Sequence, residues 1–167
     1  MIRFASDELD ASVLRQAFGC FPSGVTAVCA IVDGLPIGMA ASSFTSVSID
    51  PPLVSVCVAN ESATWKALRG AAVLGVSVLG SEHELVCRQL ASKGQDRFAG
   101  LAWEATDAGA VFMEGSALHL ECLLDAELPA GDHHIALLRI RELQVANDVA
   151  PLVFHQSAFR RLVLDIA

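Results

Sequence analysis

The stretch Gly38–Thr64, GMAASSFTSVSIDPPLVSVCVANESAT, decides the fold because it joins two predicted strands through a turn and ends at a helix cap. Proline disfavours helix at the residue before it, so Asp50-Pro51-Pro52 predicts a tight turn. The valine-rich run from Leu53 to Ala59 predicts a buried strand. Ser62 then caps a short predicted helix.

Strand signals continue on both sides of this stretch. Val25–Val32 and Leu35–Ala40 flank Asp33-Gly34, a strong two-residue hairpin signal. Ala72–Leu79 is strand-like, and Leu118 begins an alternating, half-buried pattern. We expect about seven strands with two or three inserted short helices, which favours a mainly β, mostly antiparallel barrel.

Six further segments of the chain have the following predicted structure. Three are a helix from Asp7 to Phe18 capped by Ser6, a capping box at Ser81-x-x-Glu84 that opens a helix to about Ala91, and a surface loop of functional size over 92–110. The other three are a turn at LPAGDHH (128–134) leading into a strand over 135–145, a last strand over 151–155, and an unassigned tail over 157–165.

Composition predicts a single domain over residues 1–167 that associates with itself. The chain is 53% hydrophobic with a mean hydropathy of +0.51, yet no apolar run is long enough to span a bilayer. Such an excess of apolar residues is typical of a large buried interface. We therefore expect an oligomer, which we take to be a homodimer, with no membrane segment.

Charge and cysteine usage exclude several classes of protein. The net charge is −8, without the basic footprint that nucleic-acid binding needs. The five cysteines form no CxxC pair, and the N-terminus lacks a secretory pattern, so we expect reduced thiols in the cytoplasm. GxGxxG, GxxxxGK[ST] and HExxH are absent, and adjacent His133 and His134 point to opposite faces of a strand, so no metal site is expected.

The small and hydroxyl-bearing residues of Gly38–Thr64 suggest a ligand site. Small residues let the backbone approach a flat aromatic ring closely. Hydroxyls, free N–H groups and a helix opening at Ser62 can bind a phosphate without net positive charge. The alternative is that these serines are ordinary turn and edge-strand residues, and from the residues alone the two stay open.

Four blocks of the chain carry a resemblance to a known family. They are AFGCFPSGVTAV (17–28), ASSFTSVSIDPPLVSVCV (41–58), DRFAG (96–100) and GDHHIALLRI (131–140), and the ending PLVFHQSAFRRL (151–162) is also similar. In this order they resemble the flavin reductase-like family of split-barrel proteins that serve two-component monooxygenases. The resemblance implies an antiparallel Greek-key split β-barrel with inserted short helices.

The resemblance also implies a set of cofactor-binding residues. The isoalloxazine edge would lie along Pro36, Ile37, Gly38, Met39 and Ala40, and beside Cys57, Val58 and Ala59. The ribityl and phosphate groups would meet Ser42, Ser43, Ala63, Thr64 and Arg97, with Phe98 closing the pocket. His133 would lie near the nicotinamide as the catalytic residue.

Each of these assignments has a structural alternative. The serines and Thr64 could be turn and cap residues, Arg97 a solvated loop charge, and His133 a turn histidine. His119 and His155 are assigned to strand packing, and the Cys57 thiol to the core. Met39-Ala40 and Phe154 depart from residues common in relatives, which bears on flavin preference rather than on flavin binding.

The implied activity is hydride transfer from NADH or NADPH to FMN or FAD, in which the cofactors carry the chemistry and the protein orients them. Reduced flavin would then serve a partner monooxygenase. Three alternatives remain: a flavoprotein that retains its flavin and reduces a quinone, ferric chelate or corrinoid; a non-catalytic flavin-binding module; and a purely structural barrel.

Overall fold

An antiparallel seven-stranded sheet forms the centre of the computed structural model, which describes residues 3–94 and 96–162. The strand order is β3-β2-β6-β9-β10-β5-β4. Its strands are β2 (Thr26–Val32), β3 (Leu35–Ala41), β4 (Thr45–Ser48), β5 (Leu53–Ala59), β6 (Leu74–Val78), β9 (Leu118–Ala130) and β10 (His133–Val145). The mainly β, antiparallel architecture predicted from the sequence is confirmed.

Two smaller sheets accompany the main one. One has the order β1-β11-β12 and the other pairs β7 with β8. Their strands are β1 (Ser23–Gly24), β7 (Trp103–Ala105), β8 (Val111–Met113), β11 (Val153–His155) and β12 (Ala158–Arg160). The prediction that 151–155 holds the last strand was wrong, because β12 follows β11 and pairs with it. Residues 163–165 of the unassigned tail lie outside the described residues.

Two of the predicted turns are confirmed, one between β2 and β3 and one between β4 and β5. Asp33 and Gly34 both have positive φ, 51° and 78°, as a type I′ hairpin requires, and they join β2 to β3. The Asp50-Pro51-Pro52 turn joins β4 to β5. The turn predicted over 128–134 is shorter than expected, because β9 continues to Ala130 and β10 begins at His133.

The described residues also form one 3₁₀ turn and three α-helices. The 3₁₀ turn Ser6–Glu8 and α1 (Ala11–Phe18) precede β1, whereas α2 (Ala63–Leu68) and α3 (Glu84–Ala91) lie between strands. Ser6 does not cap α1, since the Asp10 carboxylate accepts the N–H groups of Ser12 and Val13. No helix in the described residues is long and apolar enough to span a membrane.

The predicted capping box at Ser81 and Glu84 does not form. His83 occupies the N-cap of α3 without a side-chain cap bond, and its Nδ1 accepts the Gly80 N–H at 3.1 Å instead. The cap of α2 is as predicted, because the Ser62 hydroxyl accepts the Trp65 N–H at 3.2 Å.

Two apolar clusters lie on opposite faces of the sheet. The first joins β2, β5, β6, β9 and β10 with Trp65 and Leu68 of α2. The second packs β2 against Leu90 of α3, Phe98 and the short strands. Side chains of β3 alternate between them, with Met39 packed in the first and Ala40 in the second.

Candidate functional site

A cavity of about 580 Å³ opens between the start of β3, the helix α2 and the segment after α3. Cavities of roughly 300–1,000 Å³ are usual for cofactors and other small molecules. Its lining residues come from three distant parts of the chain: Leu35, Pro36, Ile37, Gly38, Ala63, Thr64, Ala67, Gly94, Asp96, Arg97 and Phe98.

Arg97 links the three walls of the cavity. Its Nη1 donates to the Gly38 carbonyl at 3.2 Å and to the Thr64 hydroxyl at 2.9 Å. Within the part of the chain that the structure describes, no carboxylate forms an ion pair with Arg97. Its remaining N–H donors and its positive charge therefore stay available to an anion in an otherwise acidic protein.

Gly38 allows the Phe98 ring to lie directly against β3. A Cβ at Gly38 would stand 2.9 Å from Phe98 Cζ and would overlap the sulfur of buried Cys29. Phe98 is 7% exposed and meets Trp103 edge-on with centroids 6.0 Å apart. The missing side chain thus lets Phe98 line the cavity beside β3.

Helix α2 separates the cavity from the first apolar cluster. Ala63, Thr64 and Ala67 line the cavity, whereas Trp65 and Leu68 are buried on the other side. Because α2 has six residues and Ser62 takes the Trp65 N–H, the helix opening contributes fewer free donors than the sequence suggests.

The cavity brings together about half of the residues proposed from the sequence. The residues in its lining are Pro36, Ile37, Gly38, Ala63, Thr64, Arg97 and Phe98. Those outside the lining are Met39, Ala40, Ser42, Ser43, Cys57, Val58, Ala59 and His133. Val58 is buried in the first apolar cluster, so only its main chain is a candidate for a ligand contact, whereas Met39 is partly buried against that cluster.

A second group of these residues lies along the exposed side of β5. Cys57 and Ala59 are exposed, and Ala59 is the register partner of His133 on the neighbouring strand β10. The Ser43 hydroxyl accepts the Cys57 N–H at 2.9 Å and donates to the Cys57 carbonyl at 3.1 Å. Ser43 therefore supports the strand, and the expectation that the Cys57 thiol lies in the core was wrong.

His133 is half-exposed and hydrogen-bonded to its neighbour. Its Nδ1 lies 2.8 Å from Asp132 Oδ1. This hydrogen bond and the charge of His133 lower the pKa of Asp132 below its usual value. The pair leaves Nε2 of His133 as the ring nitrogen open to a ligand.

The sequence prediction missed four lining residues: Leu35, Ala67, Gly94 and Asp96. Ala67 was detectable, since it follows Ala63 by one helical turn. Asp96 has a local role, because its Oδ1 accepts the Phe98 N–H at 3.2 Å and shapes the turn. Leu35 and Gly94 carry no polar signal that would distinguish them from other loop residues.

Other polar groups lie away from this cavity. A second cavity of about 590 Å³ is lined by Ser12, Arg15, Gln16, Gly19, Cys20, Gln156 and Ser157. His119 packs as predicted, stacked on Phe112 at 4.7 Å, with Nε2 2.9 Å from the Met113 carbonyl. Burial raises the pKa of Cys29 and Cys122 to about 12, so both thiols are inert at neutral pH.

Comparison with known proteins agrees with this architecture. Residues 18–163 match the "flavin reductase like domain" family. Over 161 residues the chain is 33% identical to the reductase subunit HsaB of a flavin-dependent monooxygenase from Rhodococcus jostii (strain RHA1), covering 96% of this chain and 83% of that protein. It is 38% identical to a flavin reductase from Pseudomonas putida over 152 residues, 90% and 89% of the two chains.

A solved structure extends the similarity to three dimensions. The NADH:FAD oxidoreductase SgcE6 of Streptomyces globisporus, in complex with NAD and FAD fragments, superposes with a TM-score of 0.89 at 34% identity, covering 95% of this chain and 96% of that one. The chain therefore belongs to the flavin reductase-like family, and its fold is the antiparallel split barrel.

Proposed function

We propose that the protein is an NAD(P)H:flavin oxidoreductase that transfers hydride from a nicotinamide cofactor to FMN or FAD. The observation that carries this proposal is the cavity between β3, α2 and Arg97. It combines an apolar floor at Gly38 and Phe98 with a guanidinium that has no carboxylate partner among the described residues. A ligand with a flat ring and a phosphate tail requires both an apolar surface for the ring and a positive charge for the phosphate.

The residues present suit a flavin in two respects. The absent side chain at Gly38 lets the Phe98 ring lie against β3, so that both residues line the cavity where a flat ligand would lie. Arg97 offers charge-assisted donors at the edge of the cavity, as a phosphate requires. When bound, the flavin and the nicotinamide supply the hydride chemistry themselves.

The roles proposed for the protein's own residues are binding and orientation. Gly38 and Phe98 hold the ring, Thr64 and Arg97 hold the phosphate, and Ala59 and His133 border the side from which the nicotinamide approaches. His133 positions this ligand through Nε2 while Asp132 holds Nδ1. Orientation of two bound reactants can itself contribute about 7–11 kcal/mol toward the barrier in ideal cases.

The test is a direct assay of binding and turnover. Purified protein should quench flavin fluorescence on titration and accelerate the loss of reduced-nicotinamide absorbance when flavin is added. NADH and NADPH, and FMN and FAD, are compared in the same assay. Flavin binding without turnover would identify a binding module instead. The absence of both flavin binding and turnover would overturn the proposal.

Equilibrium dialysis distinguishes flavin as substrate from flavin as retained prosthetic group. We propose micromolar exchange, with reduced flavin passing to a separate flavin-dependent monooxygenase. The HsaB relative supports this partner, since it is a monooxygenase reductase subunit. Tight retention would favour reduction of another acceptor, such as a quinone, ferric chelate or corrinoid.

We also propose that residues 1–167 form one domain, which acts as a homodimer in the cytoplasm. Apolar side chains at the surface support self-association: Phe18 is 70% exposed, Phe21 77% and Ile49 94%. The five free cysteines agree with a reducing compartment. Sedimentation equilibrium at micromolar concentration should give twice the chain mass, and a monomer would contradict the dimer.

A further inference from the structure

The carboxylate of Glu127 on β9 holds α2 from the side opposite the cavity. Its Oε1 accepts the indole N–H of Trp65 at 2.7 Å, and its Oε2 lies 3.6 Å from Nη1 of Arg69. Trp65 is 3% exposed, and the Glu127 side chain is 20% exposed. Trp65 and Arg69 stand one turn apart on the same helix face, so a single carboxylate restrains both the rotation and the axial position of α2.

The opposite face of α2 reaches the cavity. Thr64 directly precedes Trp65, and its hydroxyl accepts the Arg97 Nη1 hydrogen bond at 2.9 Å. Neighbouring helix residues move together when the helix turns about its axis. A shift of Trp65 therefore displaces Thr64 and the guanidinium that it orients.

The short length of α2 makes this restraint important. A helix of six residues has little stability of its own and keeps its position through tertiary contacts. The contacts of α2 with the sheet are apolar at Leu68, and Glu127 adds the directional ones.

We infer that Glu127 is a positioning residue, which acts through Trp65 and Thr64 to place Arg97 for flavin binding. This inference rests on the proposed function. Glu127 does not line the cavity, so its effect is on the orientation of Arg97 and not on a ligand contact.

The test compares Glu127→Val, Glu127→Gln and Trp65→Phe with Asp125→Asn as matched control. Asp125 lies two residues away on β9 and pairs with Arg139 of β10 instead of with a residue of α2. Loss of a charged hydrogen bond predicts that Glu127→Val raises the Kd and KM for flavin about tenfold, with kcat at saturating flavin nearly unchanged. Glu127→Gln keeps an acceptor for the indole and should recover most of the affinity, and Asp125→Asn should match the parent.

A double-mutant cycle separates positioning from general destabilisation. In the Arg97→Ala background, Glu127→Val should raise the flavin Kd clearly less than it does in the parent, because Arg97 is gone and only Thr64 is still displaced. Trp65→Phe, which removes the indole N–H together with part of the buried ring, should likewise weaken binding less in the Arg97→Ala background than in the parent.

Additive effects, or a Glu127→Val protein with parental flavin affinity, would overturn the positioning role. If the parent and Asp125→Asn proteins bind no flavin at all, the proposed function fails instead. Melting temperatures measured alongside ensure that binding is compared between folded proteins.

Discussion

Arg97 is the residue in which the geometry of the cavity converges. With one nitrogen it donates hydrogen bonds to the main chain of β3 and to the Thr64 side chain of α2, and it carries the positive charge that the other lining residues of the cavity lack. A lysine at this position would keep the charge but lose the planar fork of donors.

Arg97→Ala should weaken flavin binding by about tenfold to a hundredfold, because a charge-assisted hydrogen bond is worth about 1.5–3 kcal/mol. Arg97→Lys should lie between this variant and the parent. Fluorescence titration with FMN and FAD measures the change. Arg141→Ala, which removes an exposed charge from the far part of β10, serves as control. Unchanged affinity in Arg97→Ala would refute its placement at the flavin phosphate.

Gly38→Ala should both destabilise the fold and reduce flavin affinity. The new methyl group would collide with Phe98 and Cys29, and overpacking of this kind costs about 1–3 kcal/mol. Urea unfolding measures the stability, and flavin titration measures the affinity. Gly24→Ala, where a Cβ meets nothing within 4 Å, should change neither. Equal stability of the two variants would show that the close approach at Gly38 is unimportant.

Among the secondary-structure elements, the turns and the cap of α2 were predicted correctly, because nearby residues alone restrict the backbone to one conformation. Asp33-Gly34 supplies two residues that tolerate positive φ, and Pro51 excludes helix, so both turns follow from local rules. Ser62 caps α2 for the same reason.

Short strands whose turns lack a glycine-containing hairpin pair were missed. β7 and β12 are three residues long, and each pairs with the strand next to it in sequence, β8 and β11, across a turn without an Asn-Gly or Asp-Gly pair. The capping box predicted at Ser81 and Glu84 does not form, because His83 occupies the N-cap and its ring accepts a hydrogen bond from the Gly80 N–H. In the cavity, Pro36–Gly38 and Arg97 could be proposed from the family resemblance, whereas Leu35 and Gly94 line it only because the chain folds back there.

Titration of His83, the N-cap residue of α3, should make the free energy of unfolding depend on pH. Burial lowers the pKa of His83 below its ordinary value of 6.5, against opposing effects of the Glu114 backbone and Glu82. Because the unfolded chain then binds more protons, stability falls as pH drops through about 6.5 and levels off below the folded pKa.

His83→Asn should remove this dependence while keeping an acceptor for the Gly80 N–H. Urea unfolding of the parent and variant at intervals between pH 8 and 5.5 measures it. The difference in unfolding free energy between the two should shrink as the pH falls. A constant difference across this range would contradict a lowered pKa of the half-buried His83.

At the scale of the whole molecule, the cavity exists only when three distant segments are in place. Residues 35–38, 63–67, 94 and 96–98 are brought together by the sheet and two helices. A ligand that binds this arrangement binds the folded chain and not the unfolded one.

Flavin at about a hundred times its Kd should therefore raise the melting temperature by about 5–10 °C, since such binding adds about 2.7 kcal/mol to a chain of this size. Scanning fluorimetry with increasing FMN or FAD measures the shift. Arg97→Ala should show a smaller shift at the same flavin concentration. A melting temperature independent of flavin would mean that the cavity does not bind it.

The position of β3 at the end of the sheet has a consequence for solubility. An unpaired strand border invites pairing with other chains, and Pro36, which has no N–H, already weakens that tendency. The cavity begins at this same border, so an occupant shields it from neighbouring molecules. Loss of the ligand would then leave the protein not merely idle but more prone to aggregate.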